Sequence, residues 1–173
     1  MTLRVTHFPL HPETPPEGRP LADLFAGRGF DVDAAQDRIA EVAASEGLPY
    51  GHRTHTYNSR LAQELGAWAE EQPGGGAIHD ALFRAYFVDG VNLARADELV
   101  RIAGSVGLPR DAARDVLERR THKDRVDADW ERSARLGVTA VPTFVFEGRG
   151  TVGAQSYEAL EELLVQGGAR RRE

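Results

Sequence analysis

The amino-acid sequence predicts an α/β fold in which a long block of helices interrupts a small β-sheet. Three observations support this prediction. A short apolar run near the N-terminus has the spacing of a strand, and the middle of the chain repeats its apolar residues at helical intervals. After Gly137 the pattern returns to that of strands, which one last amphipathic helix follows. The predicted order is therefore strand, helices, hairpin and helix.

The first predicted element is a strand from about Leu3 to Leu10. Leu3, Val5 and Phe8 form a short, imperfectly alternating apolar run. The segment that follows, PLHPETPPEGRP, is rich in proline, which lacks a backbone hydrogen-bond donor. We therefore expect no regular structure between this strand and the first helix.

Each helix in the middle of the chain is predicted from an apolar stripe. The first follows a cap at Asp31 or Asp33 and ends at GLP, and the second follows Asn58 or Ser59, which are good cap residues. The apolar anchors of the six predicted helices are, in chain order, Ala35, Ile39, Val42 and Ala43; Leu61, Leu65 and Trp68; Ile78, Leu82, Ala85 and Tyr86; Leu99, Ile102, Ala103 and Val106; Val116 and Leu117; and Val126, Trp130 and Leu136.

The C-terminal part predicts a hairpin and a helix. The segments TFVFEG and GTVGA are typical of strands, and Gly148 provides the turn between them. Pro142 stands directly before the first of these strands, where a residue that cannot donate to the ladder is tolerated. The last helix is expected from Ser156 to about Gln166, with the apolar residues Leu160, Leu163 and Leu164.

The composition excludes several classes of protein. The net charge of −6 argues against a nucleic-acid or anionic-membrane partner, and we predict neither. No stretch approaches the roughly 20 apolar residues that a membrane helix needs. The N-terminus has no hydrophobic signal region, so the sequence predicts a cytoplasmic protein. The 173 residues contain no cysteine, which excludes disulfides, thiolate zinc sites and cysteine nucleophiles within them.

Few side chains form a pattern that predicts chemistry by itself. His52 and His55 have the spacing H-x-x-H, but no third ligand follows at a spacing typical of zinc, so we predict no metal. His7 and His11 are expected to be solvated or to act as caps. The charges alternate in RRTHKDRVDADWERSARLG, which predicts a solvated helix face. No Ser-His-Asp order, P-loop or dinucleotide fingerprint is present.

Four segments give the chain a specific resemblance to a known family. They are FPLHPETPPEG after the first predicted strand, ALFRAYFVDGVNLA in the helical part, ARLGVTAVPTFVFEG, and VGAQ. Together and in this order they resemble the DsbA family of thioredoxin-fold proteins, and in particular its cytoplasmic FrnE-like branch. The related hydroxychromene-carboxylate isomerases and kappa-class glutathione transferases share the same layout.

The resemblance implies a fold and a domain organisation. The fold would be thioredoxin-like α/β of the DsbA type, with a large all-helical insertion. Residues 1–18 and 137–173 would form a discontinuous, incomplete thioredoxin-like domain. Residues 19–136 would form the helical insertion.

The resemblance also implies a binding site. In the family a cis-proline loop faces the CxxC motif, and the backbone of the residue before the proline pairs with substrate or glutathione. The residues that the resemblance assigns to this loop are Thr139, Ala140, Val141 and Pro142. In the isomerase relatives a polar segment at the position of Asn58 and Ser59 lines the substrate cleft, so both are predicted to line it here. The implied partners are a peptide or protein thiol, or glutathione, with no other cofactor.

The chain departs from the family in two ways. It has no CxxC motif, and thiol–disulfide exchange requires an attacking thiolate. It also begins at what resembles the second strand of the family, so the central strand is expected to be missing and the hairpin to present a bare edge. A late start, a degraded gene copy and a genuine redox-inactive protein would each explain this. The first is favoured, because a sheet without its central strand should be poorly stable.

The predicted function is that of a DsbA-family thiol–disulfide oxidoreductase whose present residues are redox-inactive. Two alternatives remain open. One is a glutathione-dependent isomerase of the hydroxychromene-carboxylate type. The other is a non-catalytic thioredoxin-like module that binds a peptide or a partner chain at Val141–Pro142. The bare strand edge would also allow a homodimer.

Overall fold

The computed structural model of the chain describes residues 4–27 and 29–170. By its internal contacts the chain divides into two units. One consists of Met1–Leu10 with Ala128–Glu173, and the other of His11–Asp127. We call them the terminal unit and the helical unit.

None of the helices in residues 4–27 and 29–170 combines the length and the apolar composition that crossing a membrane requires.

The helical unit contains most of the secondary structure. The elements of this unit are β1 (Arg19–Pro20), α1 (Leu21–Leu24), α2 (Val32–Ser45), β2 (His55–Thr56), α3 (Arg60–Ala69), α4 (Ala77–Phe87), α5 (Ala96–Ser105), α6 (Arg110–Arg119) and the first residues of α7 (Lys123–Arg135).

The six helices predicted from apolar stripes are confirmed as α2 to α7. Asp31, not Asp33, caps α2, because its Oδ1 accepts a hydrogen bond from the backbone N–H of Ala34 at 3.0 Å. Helix α3 begins after Ser59, but the side chain that satisfies its first amide is that of Asn58.

The hydrophobic core of the helical unit is built from α3, α4, α5 and α6. Their predicted stripes meet in one cluster of buried side chains, among them Leu65, Ile78, Leu99, Ala103 and Leu117. Burying such side chains is the main favourable contribution to folding. The core therefore follows from the helical periodicity of the sequence.

Helix α2 departs from this pattern because its predicted stripe is not buried. Ile39 and Val42 are 49% and 57% exposed, and Gln36 is the buried residue of this helix. Gln36 Oε1 accepts a hydrogen bond from the backbone N–H of Arg53 at 2.7 Å. This bond fixes the polar side of α2 against the unit and leaves the apolar stripe on the surface.

A two-residue ladder, β1 with β2, is present where the sequence predicts no regular structure. Arg19 pairs with Thr56, and Pro20 with His55, in antiparallel register. The ladder is too short to produce an alternating pattern in the sequence.

The segment between residues 11 and 18 belongs to the helical unit by its contacts, although the predicted domain bounds assign it to the thioredoxin-like part. Two asparagines hold it. Asn58 Nδ2 donates to the carbonyl oxygens of Pro12 and Thr14, and Asn92 Nδ2 donates to that of Pro16 at 2.8 Å.

The terminal unit contains the predicted hairpin and the predicted last helix, which are β3 (Thr143–Phe146), β4 (Arg149–Val152) and α8 (Tyr157–Gln166). The strands are antiparallel, and Phe146 pairs with Arg149 across the turn. Glu147 and Gly148 form this turn with φ of 47° and 74°, as a two-residue type I′ turn requires. Ser156 caps α8, as its Oγ accepts a hydrogen bond from Ala159 N–H at 3.2 Å.

The predicted strand from Leu3 to Leu10 is wrong for the residues that the structure describes. Leu3 lies outside them, and residues 4–10 have no regular structure. Side chains of α7 hold this segment instead of a neighbouring strand. His7 Nδ1 lies 2.9 Å from Asp129 Oδ2, and Ser133 Oγ donates to the carbonyl oxygen of His7.

The apolar side chains of the terminal unit are poorly buried. Val145, Val152 and Val165 are 46%, 57% and 50% exposed, and α8 has no buried residue. Within the described residues, β3 and β4 form a sheet of two strands. The apolar surface of this hairpin is therefore available to a further partner.

Candidate functional site

The loop Thr139–Pro142 connects the end of α7 to β3 in the terminal unit. The Val141–Pro142 peptide bond is cis. Two hydrogen bonds fix the loop: Thr143 Oγ1 donates to the carbonyl oxygen of Ala140 at 2.6 Å, and Gly153 N–H donates to that of Pro142 at 2.8 Å. The loop is thus tied to β3 and to the residue that follows β4.

Val141 is an exposed residue whose backbone is unpaired within the described residues. The residue is 45% exposed, and neither its N–H nor its carbonyl oxygen makes a hydrogen bond within the described part of the chain. Its neighbours Ala140 and Pro142 both have their carbonyl oxygens engaged. A free donor and acceptor on one exposed residue is an arrangement that can add an extended peptide by backbone pairing.

The structure places the other predicted site residues, Asn58 and Ser59, in the helical unit, directly before α3. The amide of Asn58 is fully used: Nδ2 donates to two carbonyl oxygens, and Oδ1 accepts from the N–H of Arg60 at 2.9 Å. Ser59 Oγ accepts from Gln63 Nε2 at 3.2 Å. These bonds give Asn58 a structural role at the start of α3, and the predicted contact of both residues with substrate stays a prediction.

Replacing Asn58 with alanine should lower the free energy of unfolding by about 1–3 kcal/mol, because the partly buried carbonyl oxygen of Thr14 would lose its donor. Urea unfolding followed by circular dichroism measures this change. Ser59→Ala is the matched control and should cost only about 0.5 kcal/mol, since it removes a single, long side-chain hydrogen bond, from Gln63 Nε2 to Ser59 Oγ. Equal costs for the two variants would contradict the bracing role of Asn58.

A cavity of about 240 Å³ lies beside Asn58 in the helical unit. Its wall includes the guanidinium-bearing residues Arg60 and Arg120, together with Pro16 and Ala94. Ser59 is not among the residues that line it. The cavity is small, and two arginines contribute to its wall.

A buried carboxylate organises both arginines of this cavity. The side chain of Glu64 is 0% exposed, and its Oε1 lies 2.6 Å from Arg60 Nε. Arg120 Nε and Nη2 donate to the two oxygens of Glu64, each at 2.6 Å. Burial raises the pKa of Glu64, but the hydrogen bonds from Arg120 and Arg60 outweigh this effect, so its pKa lies below the usual range. Glu64 is therefore ionised at neutral pH.

The charged run over residues 119–137, which includes α7, is only partly the solvated face that the sequence predicts. Arg120 binds Glu64, and Arg125 Nη1 donates to the carbonyl oxygen of Ala67 at 2.6 Å. Only part of the run makes the expected exposed pairs along the helix, such as Lys123 with Asp127. The sequence offers one indication of the difference, which is the placement of Glu64 beside the apolar stripe of α3.

The sequence predicts that His7 is solvated or acts as a cap, but the structure shows its side chain largely buried. Its side chain is 10% exposed and pairs with Asp129, whose side chain is 7% exposed. Arg4 Nη2 lies 3.3 Å from the other oxygen of Asp129. Nothing in the local spacing indicates this pair, because 122 residues separate its members. Residues 4–27 and 29–170 contain no group of three or more side chains placed to hold a metal ion.

The element order, with a block of helices before a hairpin and a last helix, is the helix-rich α/β order that the sequence predicts. Residues 1–165 match the family of the DSBA-like thioredoxin domain, and the chain therefore belongs to that family. The predicted fold class is confirmed by this match and by the helix-rich α/β architecture.

Two solved structures are similar to the chain. A probable DsbA oxidoreductase from Streptomyces coelicolor superposes with a TM-score of 0.82 and 30% identity, over 94% of this chain and 73% of that chain. A "putative protein disulfide isomerase" from Nitrosomonas europaea gives a TM-score of 0.61 at 20% identity, over 79% of this chain and 74% of that chain. The second similarity shows the fold alone.

A curated relative, the uncharacterized protein YwbO of Bacillus subtilis (strain 168), is 30% identical over 111 residues. The alignment covers 64% of this chain and 55% of that protein. The chain thus spans about half the length of this relative.

Proposed function

We propose that this chain is the substrate-docking part of a cytoplasmic thiol–disulfide oxidoreductase in the FrnE-like branch of the DsbA family. The loop Thr139–Pro142 would hold an extended segment of a peptide or protein thiol substrate. The observation that carries this proposal is that Val141 is exposed and that its backbone makes no hydrogen bond within the described residues. The oxidoreductase similar in structure over 94% of the chain supports the choice of chemistry.

Docking at this loop would use the backbone of the substrate more than its side chains. The carbonyl oxygen of Val141 would accept from a substrate N–H, and its N–H would donate to a substrate carbonyl oxygen. Each such bond contributes only about 0.5–1.5 kcal/mol net. The loop should therefore bind many sequences weakly, which suits an enzyme that acts on varied protein thiols.

The thiol for the exchange would be supplied from outside these 173 residues, because they contain no cysteine. Exchange proceeds by attack of a thiolate on a disulfide sulfur through a mixed disulfide, and no other side chain replaces the thiolate in that step. The role proposed for the residues present is therefore to position the substrate, and not to react with it.

Replacing Pro142 with alanine should weaken peptide docking by about tenfold or more. Proline fixes its own φ and has no N–H, so alanine would free the backbone next to Val141 and add a competing donor. The probe is a fluorescein-labelled peptide of alternating threonine and valine, and fluorescence anisotropy gives its Kd. Pro73→Ala, at an exposed proline of the helical unit, is the matched control and should leave the Kd unchanged.

A second probe separates backbone docking from unspecific apolar contact. The same peptide, N-methylated at alternate residues, keeps its side chains but loses the N–H groups of one edge, and it should not bind. Binding of the methylated peptide as strong as that of the unmodified one, or unchanged binding by the Pro142 variant, would count against the proposal. Competition by glutathione would favour the isomerase alternative, and a dimer in light scattering would favour pairing of two copies at this edge.

A further inference from the structure

Another cavity of the helical unit, distinct from the one beside Asn58, has a volume of about 840 Å³. Neither Asn58 nor any residue of the loop Thr139–Pro142 lines it. This volume lies within the range of about 300–1,000 Å³ that small-molecule sites occupy. Apolar side chains form much of its wall, namely those of Leu21, Phe25, Phe30 and Val32. The ring centres of Phe25 and Phe30 lie 4.5 Å from each other, and Phe30 is 49% exposed.

Arg53 lines this cavity, and contacts within the helical unit hold it in place. Its backbone N–H donates to Gln36 Oε1 at 2.7 Å. Its guanidinium carbon lies 4.4 Å from the ring centre of Tyr86 and 4.9 Å from that of Phe87. Cation–π contacts of this kind orient the group without using any of its N–H donors.

The guanidinium of Arg53 has no acceptor within the described residues. Its Nε is buried and makes no hydrogen bond. No carboxylate or carbonyl oxygen of residues 4–27 and 29–170 accepts from its terminal nitrogens. A partly enclosed cation without a counter-ion is unfavourable, and an anion bound beside it would remove that cost.

Two acidic residues among the described residues of the wall limit what this anion can be. Asp31 and Asp33 also line the cavity, and both lie at the first turn of α2. The carboxylate of Asp31 is used to cap the helix and so does not neutralise Arg53. Two carboxylates in the wall would repel a multiply charged group such as a phosphate ester more strongly than a single negative charge.

We infer that this cavity is a binding site for small organic monoanions with an apolar body, such as an aryl carboxylate or sulfonate. The anionic group pairs with the guanidinium of Arg53, and the apolar body lies against Phe25, Phe30 and Leu21. This site is separate from the peptide-docking loop, and the inference does not depend on the proposed function.

Two fluorescent probes that differ by one charged group test this inference. Anilinonaphthalene sulfonate is a monoanion with an apolar body, and phenylnaphthylamine is its neutral counterpart. Replacing Arg53 with methionine keeps the apolar stem and removes the charge. The variant should weaken sulfonate binding about tenfold or more and change binding of the neutral probe by less than about threefold. Arg114→Met, at an exposed arginine of α6, is the matched control and should change neither.

The wild-type protein provides a measurement that does not depend on the variant. In isotope-labelled protein, the sulfonate probe should shift the NMR signals of the Arg53 Nε–H and of the Phe30 and Gln36 amides. An unchanged ratio of the two affinities in the Arg53 variant would overturn the inference. Shifts confined to the exposed hairpin residues, such as Val145, would do the same.

Discussion

Replacing Glu64 with glutamine should lower the free energy of unfolding by about 3 kcal/mol, as expected when one member of a buried ion pair is removed. The carboxylate is fully buried and binds Arg60 and Arg120. The side chain of Arg60 is only 14% exposed and would lose the bond from its Nε to Glu64, although its Nη2 keeps Asp127 Oδ1 at 2.6 Å. Arg120 is 41% exposed and can be rehydrated, which places the cost at the lower end of the range for buried pairs. The midpoint of urea unfolding measures the effect.

The same pair makes a specific contribution to the pH dependence of stability. Burial raises the pKa of Glu64, and the bonds from Arg120 and Arg60 lower it further than burial raises it, so the folded value lies below the unfolded one. A carboxyl group shifted in this direction stabilises the protein fully above its unfolded pKa of about 4.3. The contribution is lost as the pH falls through the lower, folded pKa. The difference in stability between wild type and Glu64→Gln should therefore shrink below about pH 4.3.

An exposed ion pair gives the matched control for this variant. On α6, Asp115 Oδ2 lies 3.5 Å from Arg119 Nη1. Both side chains are more than half exposed. Asp115→Asn should change the unfolding free energy by about 0.5 kcal/mol or less at any pH. If Glu64→Gln were as mild as this control, the buried network would contribute little, and the fixed position of both arginines would need another cause.

Helix periodicity predicted where the helices lie better than it predicted which of their faces are buried. The stripes of α3 to α6 are buried because these helices pack against one another. The stripe of α2 has the same spacing, yet Ile39 and Val42 are exposed. Periodicity reports that a face is apolar, whereas burial also requires a partner surface, and the spacing within one helix contains no information about that partner.

The same limit explains what the sequence missed at the candidate site. The loop Thr139–Pro142 was predicted because four segments resemble a family whose loop is known. Glu64 and Arg120 are 56 residues apart, and no local pattern joins them. The strand predicted up to Leu10 failed for the opposite reason: its alternation is local, but a strand forms only beside another strand, and residues 4–10 have none.

Replacing Leu65 with alanine should lower the free energy of unfolding by about 2–5 kcal/mol. Leu65 is 0% exposed and lies on α3, within the cluster formed with α4, α5 and α6. The truncation removes buried apolar atoms and leaves a cavity that rigid neighbouring helices can fill only in part.

Leu48→Ala is the matched control. Leu48 is 61% exposed in the same unit, so its truncation should cost about 0.5 kcal/mol or less. A cost below about 1 kcal/mol for Leu65→Ala would mean that the helices close around the missing side chain. In that case the core of the helical unit would be adaptable, and its packing would not be what fixes the positions of α3 to α6.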